Sequence, residues 1–162
     1  MFVGACGGGP DADVQVQRHI DTVNPMFEEA NAARDALDKE ISPPGAETEA
    51  GDAKRWFDGL IGIQEKLVGA LGGVGDPPVA LKEAHNNYLA AASEALALNR
   101  RIHDRLADAG SDFKMAQLAN DPELGIAPQR RLGDLVEGAC KELERGARES
   151  GINVDLGCAT TR

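Results

Sequence analysis

Residues 79–109, VALKEAHNNYLAAASEALALNRRIHDRLADA, carry the clearest helical pattern in the chain. Core-facing positions in this stretch repeat every three and four residues, as they do on the buried face of an α-helix. The series is Leu81, His85, Tyr88, Ala92, Ala95, Asn99, Ile102, Leu106 and Ala109. Asp76 and Pro77 provide a capping carboxylate and a first-turn proline before it, and Gly110 provides a break after it. The stretch therefore predicts one long amphipathic helix that ends at about residue 109.

Three other segments show the same period. They cover about residues 12–41, a stretch from Glu47 or Thr48 to Leu71, and about 128–150, with a short helix expected at about 112–119. The predicted buried face of the first segment is Val16, Ile20, Val23, Phe27, Ala30, Leu37 and Ile41, with Arg34 at one position of the series. That of the last segment is Leu132, Leu135, Val136, Ala139, Leu143 and Ala147. Pro25 lies inside the first segment and predicts a kink, or a break at Asn24, because proline lacks a backbone donor and crowds the preceding turn.

Four amphipathic helices joined by short connections rich in proline and glycine pack as antiparallel neighbours. We therefore predict an all-α fold, an up-down-up-down four-helix bundle with a short extra helix. Residues 152–156 alternate apolar and polar side chains, so we expect an extended C-terminal tail that lies against the bundle and covers part of its apolar surface. The predicted domain spans residues 12–162 and follows a flexible, Gly-rich tether at residues 1–11.

The composition excludes several classes of partner. Aromatic residues are only 4% of the 162 residues, so the core must consist mainly of aliphatic side chains and alanine, which favour helices. The formal net charge of −10 would repel the phosphates of nucleic acids and the surface of anionic lipids. No apolar run approaches the roughly 20 residues that span a bilayer. Nucleic acid is therefore not an expected partner, and contact with a membrane would need an anchor.

The N-terminus carries a motif of another kind, Val3-Gly4-Ala5-Cys6, followed by three glycines. It resembles the lipobox of bacterial lipoproteins, in which small residues precede a cysteine that receives a diacylglyceryl group. The resemblance implies that Cys6 is lipidated and that the protein is exported and anchored in the cell envelope. Since only two residues precede the motif, it also implies a longer signal peptide upstream. The alternative is an accidental match in a cytoplasmic protein.

The chain has three cysteines, an odd number. If Cys6 carries a lipid, as the resemblance implies, Cys140 and Cys158 remain as a pair. The chain between them is long enough to leave the last helix, turn at Gly151 and return alongside it, so a disulfide is geometrically feasible. An exported protein meets an oxidising environment, which favours the bond. The alternative is two unpaired thiols, with Cys140 a small core residue.

Two polar residues, His85 and Asn99, occupy the apolar face of the third helix. Burying them is costly unless they find partners. In one interpretation they line a small-molecule pocket between the helices, together with Trp56 and Tyr88. In the other they are structural, a hydrogen-bonded core histidine and an asparagine that fixes helix register. No Glu-x-x-His pair, zinc cluster or haem attachment motif occurs, so neither a metal nor another cofactor is expected. We expect Arg34 to extend out of the core along its aliphatic stem.

These observations favour a non-enzymatic binding or interaction module of the bacterial cell envelope, which contacts the membrane only through a lipid on Cys6. Its partner would be another protein or a small ligand in the predicted pocket. A cytosolic helical adaptor is one alternative. A bundle whose polar core residues bind a small molecule or a metal, or form an enzyme site, is another.

Overall fold

Four long helices make up most of the structure. They are α1 (Pro10–Glu40), α2 (Ala50–Gly72), α3 (Val79–Ala107) and α4 (Ile126–Glu149), with a short 3₁₀ helix at Met115–Leu118 between α3 and α4. The computed structural model describes residues 10–110 and 112–158, and no strand is found among them. Each helix packs against the next one along the chain, and α1 also contacts α4. The predicted all-α four-helix bundle is confirmed.

Helix α1 begins at Pro10, so the last two residues of the predicted tether belong to the helix. It continues without a break through Pro25, and the predicted break at Asn24 is wrong. Pro25 is exposed, whereas Val23 and Phe27 on either side of it are buried. The carbonyl group that loses its helical donor therefore lies on the solvent side, where water can bond to it. Burial of the opposite face holds the helix together across the proline.

The connection from α3 to α4 differs most from the sequence prediction. The predicted helix at 112–119 is reduced to four residues of 3₁₀ helix. The backbone just before it pairs instead with the segment that leads into α2, since Ala50 N donates to Phe113 O and Met115 N donates to Thr48 O, at 3.0 and 3.1 Å. These bonds hold the chain extended at Phe113 and Lys114. Helix α4 starts at Ile126, which places Pro128 in its first turn, where no helical donor is missing.

The C-terminal tail, residues 152–158, is non-helical and lies along α1 and α4. Ile152 and Leu156 are buried and Val154 is partly buried, as the alternating pattern predicts. Two hydrogen bonds fix the tail, from Asn31 Nδ2 to the Leu156 carbonyl at 3.0 Å and from the Leu156 backbone N–H to Glu144 at 2.8 Å. The predicted disulfide is present, joining Cys140 of α4 to Cys158 with the Cα atoms 5.5 Å apart.

Two clusters of buried side chains form the core. The disulfide-end core consists of Val16, Ile20, Val23, Phe27, Leu71, Leu81, Tyr88, Ala92, Cys140, Leu143, Ala147, Ile152 and Leu156. The tryptophan-end core consists of Ala50, Ala53, Trp56, Phe57, Leu60, Leu98, Ile102, Leu106, Leu118 and Leu132. Helix α1 contributes four buried residues to the first core and none to the second. Within the described residues, no helix is both long and apolar enough to cross a membrane.

Candidate ligand-binding site

A cavity of about 580 Å³ lies between the helices, at the junction of the two cores. Its walls come from all four long helices and from the end of the tail. The lining residues are Phe27, Ala30, Asn31, Arg34, Asp35, Trp56, Phe57, Leu60, Ile63, Gln64, Leu67, Tyr88, Ala95, Leu98, Asn99, Gln129, Leu132, Gly133, Val136, Cys140, Gly157 and Cys158. This volume falls within the range of pockets that hold small organic ligands.

The scarce aromatic residues of the chain concentrate around this cavity. Four of the six, Phe27, Trp56, Phe57 and Tyr88, line it. They form two pairs, with ring centroids 5.0 Å apart for Phe27 and Tyr88 and 5.1 Å apart for Trp56 and Phe57. Aromatic rings bring large apolar surfaces with few rotatable bonds. The rings therefore give the cavity wall a large apolar surface beside the polar side chains that also line it.

The structure brings together three of the four predicted pocket residues. Trp56, Tyr88 and Asn99 line the cavity, and His85 does not. Asn99 donates to Gln64 Oε1 at 2.9 Å, which links α3 to α2 and also satisfies the structural interpretation of this residue. The predicted position of the pocket is therefore close to that of the cavity, whereas His85 matches its structural interpretation, a hydrogen-bonded core histidine.

His85 instead forms a buried pair with His19 of α1 in the disulfide-end core. The two rings lie with His19 Nε2 and His85 Nδ1 3.3 Å apart, and both residues are at least 94% buried, being 6% and 4% exposed. Burial lowers the pKa of both imidazoles, the charge of His85 further lowers the pKa of His19, and a hydrogen bond to the Leu71 backbone partly raises that of His85. Both rings are therefore held in the neutral form, which suits a structural pair.

His19 was not predicted to be buried, although its position in the sequence indicates burial. It lies three residues after Val16 and four before Val23, and so falls on the same helix face as the apolar series. A histidine on that face is compatible with burial when its ring nitrogens find partners. The facing position of His85 supplies one.

Arg34, Asp38 and Trp56 form a polar cluster where α1 passes over the cavity. The guanidinium carbon of Arg34 lies 4.7 Å from the centre of a Trp56 ring, and its Nε donates to Asp38 at 3.1 Å. Asp38 also accepts the indole N–H of Trp56 at 2.9 Å. The expectation that Arg34 extends out of the core is therefore met only in part. Because Asp38 and the indole ring both engage its guanidinium, the side chain stays at the cavity wall, 28% exposed.

The cavity opens along the seam between α1 and α4. These two helices contact each other less than any other neighbouring pair, and no residue of α1 after Phe27 is buried. Asn31 and Asp35 of α1 line the cavity from the exposed side, opposite Gln129 and Gly133 of α4. The tail occupies the neighbouring part of the same seam through its bond from Asn31. A small molecule could therefore enter beneath the second half of α1.

The Tyr88 hydroxyl belongs to a buried residue of the cavity wall. Tyr88 is 6% exposed, and burial raises its pKa to about 12, so the hydroxyl is un-ionised at neutral pH. No hydrogen bond to this hydroxyl occurs among residues 10–110 and 112–158. A neutral phenol can both donate and accept a hydrogen bond. Tyr88 therefore adds an uncharged hydrogen-bonding group to the polar side chains of the cavity wall.

A second depression, of about 280 Å³, lies between α1 and α2. Small residues line much of it, among them Ala33 and Gly62, and the ion pair between Lys66 and Glu29 belongs to its wall. It shares Ala30, Ile63 and Leu67 with the wall of the larger cavity. It contains none of the aromatic residues, so the larger cavity is the better candidate site.

The other predicted site is only partly visible. Cys6 and the rest of the lipobox-like motif lie outside the described residues. Within residues 10–110 and 112–158, no group of three or more His, Cys, Asp or Glu side chains is arranged to hold a metal ion.

No protein-family model, curated protein or solved structure matches this chain.

Proposed function

We propose that this protein is a non-enzymatic binding protein of the bacterial cell envelope, which takes up a small, mainly apolar molecule in its central cavity. The observation that carries the proposal is the cavity of about 580 Å³, with four of the six aromatic residues in its wall. The cavity is open to solvent, so its apolar wall faces water unless another molecule covers it. A ligand that covers this surface explains why the rings gather there.

The polar groups around the cavity are arranged for binding rather than for bond breaking. Asn99 and Gln64 bond to each other, and Arg34 bonds to Asp38. The two cysteines in the wall are joined as a disulfide, so neither is a free nucleophile. These groups can orient a ligand through hydrogen bonds while the rings supply apolar contact.

The proposed location rests on two independent features. The motif at Val3-Gly4-Ala5-Cys6 resembles a lipobox, and the bond between Cys140 and Cys158 is typical of proteins exposed to an oxidising compartment. Expression of the full gene in a bacterial host, with wild-type Cys6 or with Cys6→Ser, tests this part. We expect the wild type in the membrane fraction with a mass increase from the lipid. Recovery of both forms in the cytoplasmic fraction with reduced thiols would refute it.

Ligand uptake can be tested with N-phenyl-1-naphthylamine, an uncharged apolar dye that accepts energy from tryptophan. Trp56 is the only tryptophan and lines the cavity, so bound dye should quench its emission. Gly133→Leu places an apolar side chain into the cavity from α4, where an added Cβ meets no atom within 4 Å. Gly138→Leu is the matched control, because Gly138 is also in α4 and has the same open space but does not line the cavity.

Both glycine variants should be as stable as the wild type or slightly more so, since leucine favours helices over glycine by up to about 1 kcal/mol. We expect Gly133→Leu to abolish dye-dependent quenching and Gly138→Leu to retain it. Equal quenching in both variants, or none in the wild type, would show that the cavity does not bind the dye.

A further inference from the structure

We infer that the ligand of the central cavity is an uncharged, largely apolar molecule that carries a hydroxyl or carbonyl oxygen at one end, and that this oxygen accepts a hydrogen bond from Arg34. This inference rests on the proposed function and specifies its ligand class. It follows from how Arg34 is held and from the charges around it.

Arg34 is an oriented donor at the entrance of the cavity. Its Nε contacts both carboxylate oxygens of Asp38, at 3.1 and 3.2 Å, and its guanidinium plane lies near the Trp56 ring. No hydrogen bond from its two terminal nitrogens occurs within the described parts of the chain. A guanidinium fixed through Nε keeps its remaining N–H groups in a set geometry. They are therefore available to an acceptor atom inside the cavity.

The charges at this point do not favour an ionised ligand. Asp38 already compensates the charge of Arg34, and the exposed carboxylate of Asp35 lines the cavity beside them. These three side chains carry a net negative charge, as does the whole chain. A carboxylate would lose its hydration without meeting surplus positive charge. An ammonium group cannot accept a hydrogen bond from Arg34 and would be repelled by its guanidinium. The surplus negative charge belongs to Asp35, which is exposed, so water screens its attraction for a cation.

An uncharged oxygen meets neither obstacle. It can accept from Arg34 without being strongly repelled by Asp35, while the apolar body contacts the aromatic rings. The Tyr88 hydroxyl, un-ionised and without a partner in the described structure, gives a second polar contact for such a molecule. Arg34 and Tyr88 can then both bond to the ligand without a change of charge.

Three probes of one chain length, 1-decanol, decanoate and decylamine, test the inference by displacement of N-phenyl-1-naphthylamine at neutral pH. We expect 1-decanol to bind at least about tenfold more tightly than either ion, a difference of roughly 1.4 kcal/mol. Arg34→Met, which keeps the aliphatic stem, should weaken 1-decanol by about tenfold, as expected for loss of a hydrogen bond to a charged group. Thermal unfolding of each variant confirms that the fold is retained.

The variant Asp35→Asn tests most specifically whether charge determines which ligand binds. Removing this charge should reduce the difference in affinity between 1-decanol and decanoate several-fold. Glu94 is an exposed acid on α3 outside the cavity wall, so Glu94→Gln should leave the ratio of the two affinities unchanged. Decanoate or decylamine binding as tightly as 1-decanol, or a failure of all three to displace bound dye, would overturn the inference and leave the proposed function standing. Absence of dye binding by the wild type would overturn the proposed function itself.

Discussion

The two halves of α1 have different roles in the same helix. In the first half, Val16, Ile20, Val23 and Phe27 are all at most 3% exposed and belong to the disulfide-end core. In the second half, the corresponding face carries Ala30, Arg34 and Leu37, and no residue is fully buried. The first half is held by bulky side chains that pack with residues of α2, α3, α4 and the tail. The second half passes over the cavity, and the cluster of Arg34, Asp38 and Trp56 ties it to α2.

Because the two halves of α1 are packed differently, shortening a side chain on its inner face should cost more stability in the first half than in the second. Ile20→Ala removes a fully buried side chain of the first half and should lower the free energy of unfolding by about 2–5 kcal/mol, through lost burial and the space left behind. Leu37→Ala, in the partly buried second half, should cost about 1 kcal/mol. Urea denaturation of both variants measures the difference. Equal losses would mean that the two halves are packed alike.

The disulfide should account for the next largest effect, because it holds the tail against the disulfide-end core. Replacing Cys140 and Cys158 with Ser should lower the free energy of unfolding by about 3 kcal/mol, since the bond closes a loop of 18 positions and restricts the unfolded chain. Leu156 should then become accessible to a broad-specificity protease, because the remaining hydrogen bonds of the tail do not offset the entropy of ordering it. A tail that stays protected in this variant would show that packing alone holds it.

A smaller effect on the free energy of unfolding should come from pH, through the buried pair of His19 and His85. Burial lowers the folded-state pKa values of His19 and His85 below the usual value for histidine, about 6.5. The unfolded chain therefore binds protons first as the pH falls, so the stability from this pair is complete above the unfolded pKa and decreases as the pH falls through the lowered folded values. Denaturation between about pH 7.5 and pH 5 should show this decline.

The double variant His19→Leu and His85→Leu should flatten that pH dependence. His103→Gln, which changes the third histidine of the chain in the other half of the bundle, is the matched control and should retain it. A decline that persists in the double variant would assign it to other groups.

Much of the fold could be predicted because the helices follow a single rule. Periodic apolar positions fixed the four helices and the alternating tail, and Cys140 and Cys158 were paired correctly. Leu135 shows the limit, since it fits the period of α4 but is 50% exposed. The spacing of apolar residues shows which side of a helix is buried. How many residues on that side are buried depends on the neighbouring helix. Leu98 is the opposite case, 2% exposed although it lies outside the predicted series.

The cavity could be predicted only in outline, for a related reason. Placing Trp56, Tyr88 and Asn99 together required only that each lie on a core-facing position. Whether a space remains between them depends on how closely α1 and α4 approach, and no local pattern encodes that distance. The partner of His85 could not be named from the sequence, because His19 lies 66 positions away.

Hydrogen exchange of the α1 backbone, with and without 1-decanol, tests the central claim most directly. We predict that amides of residues 28–40 exchange faster than those of residues 16–27, because the second half has no buried side chains to hold it. Addition of 1-decanol should slow exchange in residues 28–40 and leave residues 16–27 unchanged. Equal exchange in the two halves, with no effect of 1-decanol on either, would contradict the claim that the second half of α1 covers a ligand-binding cavity.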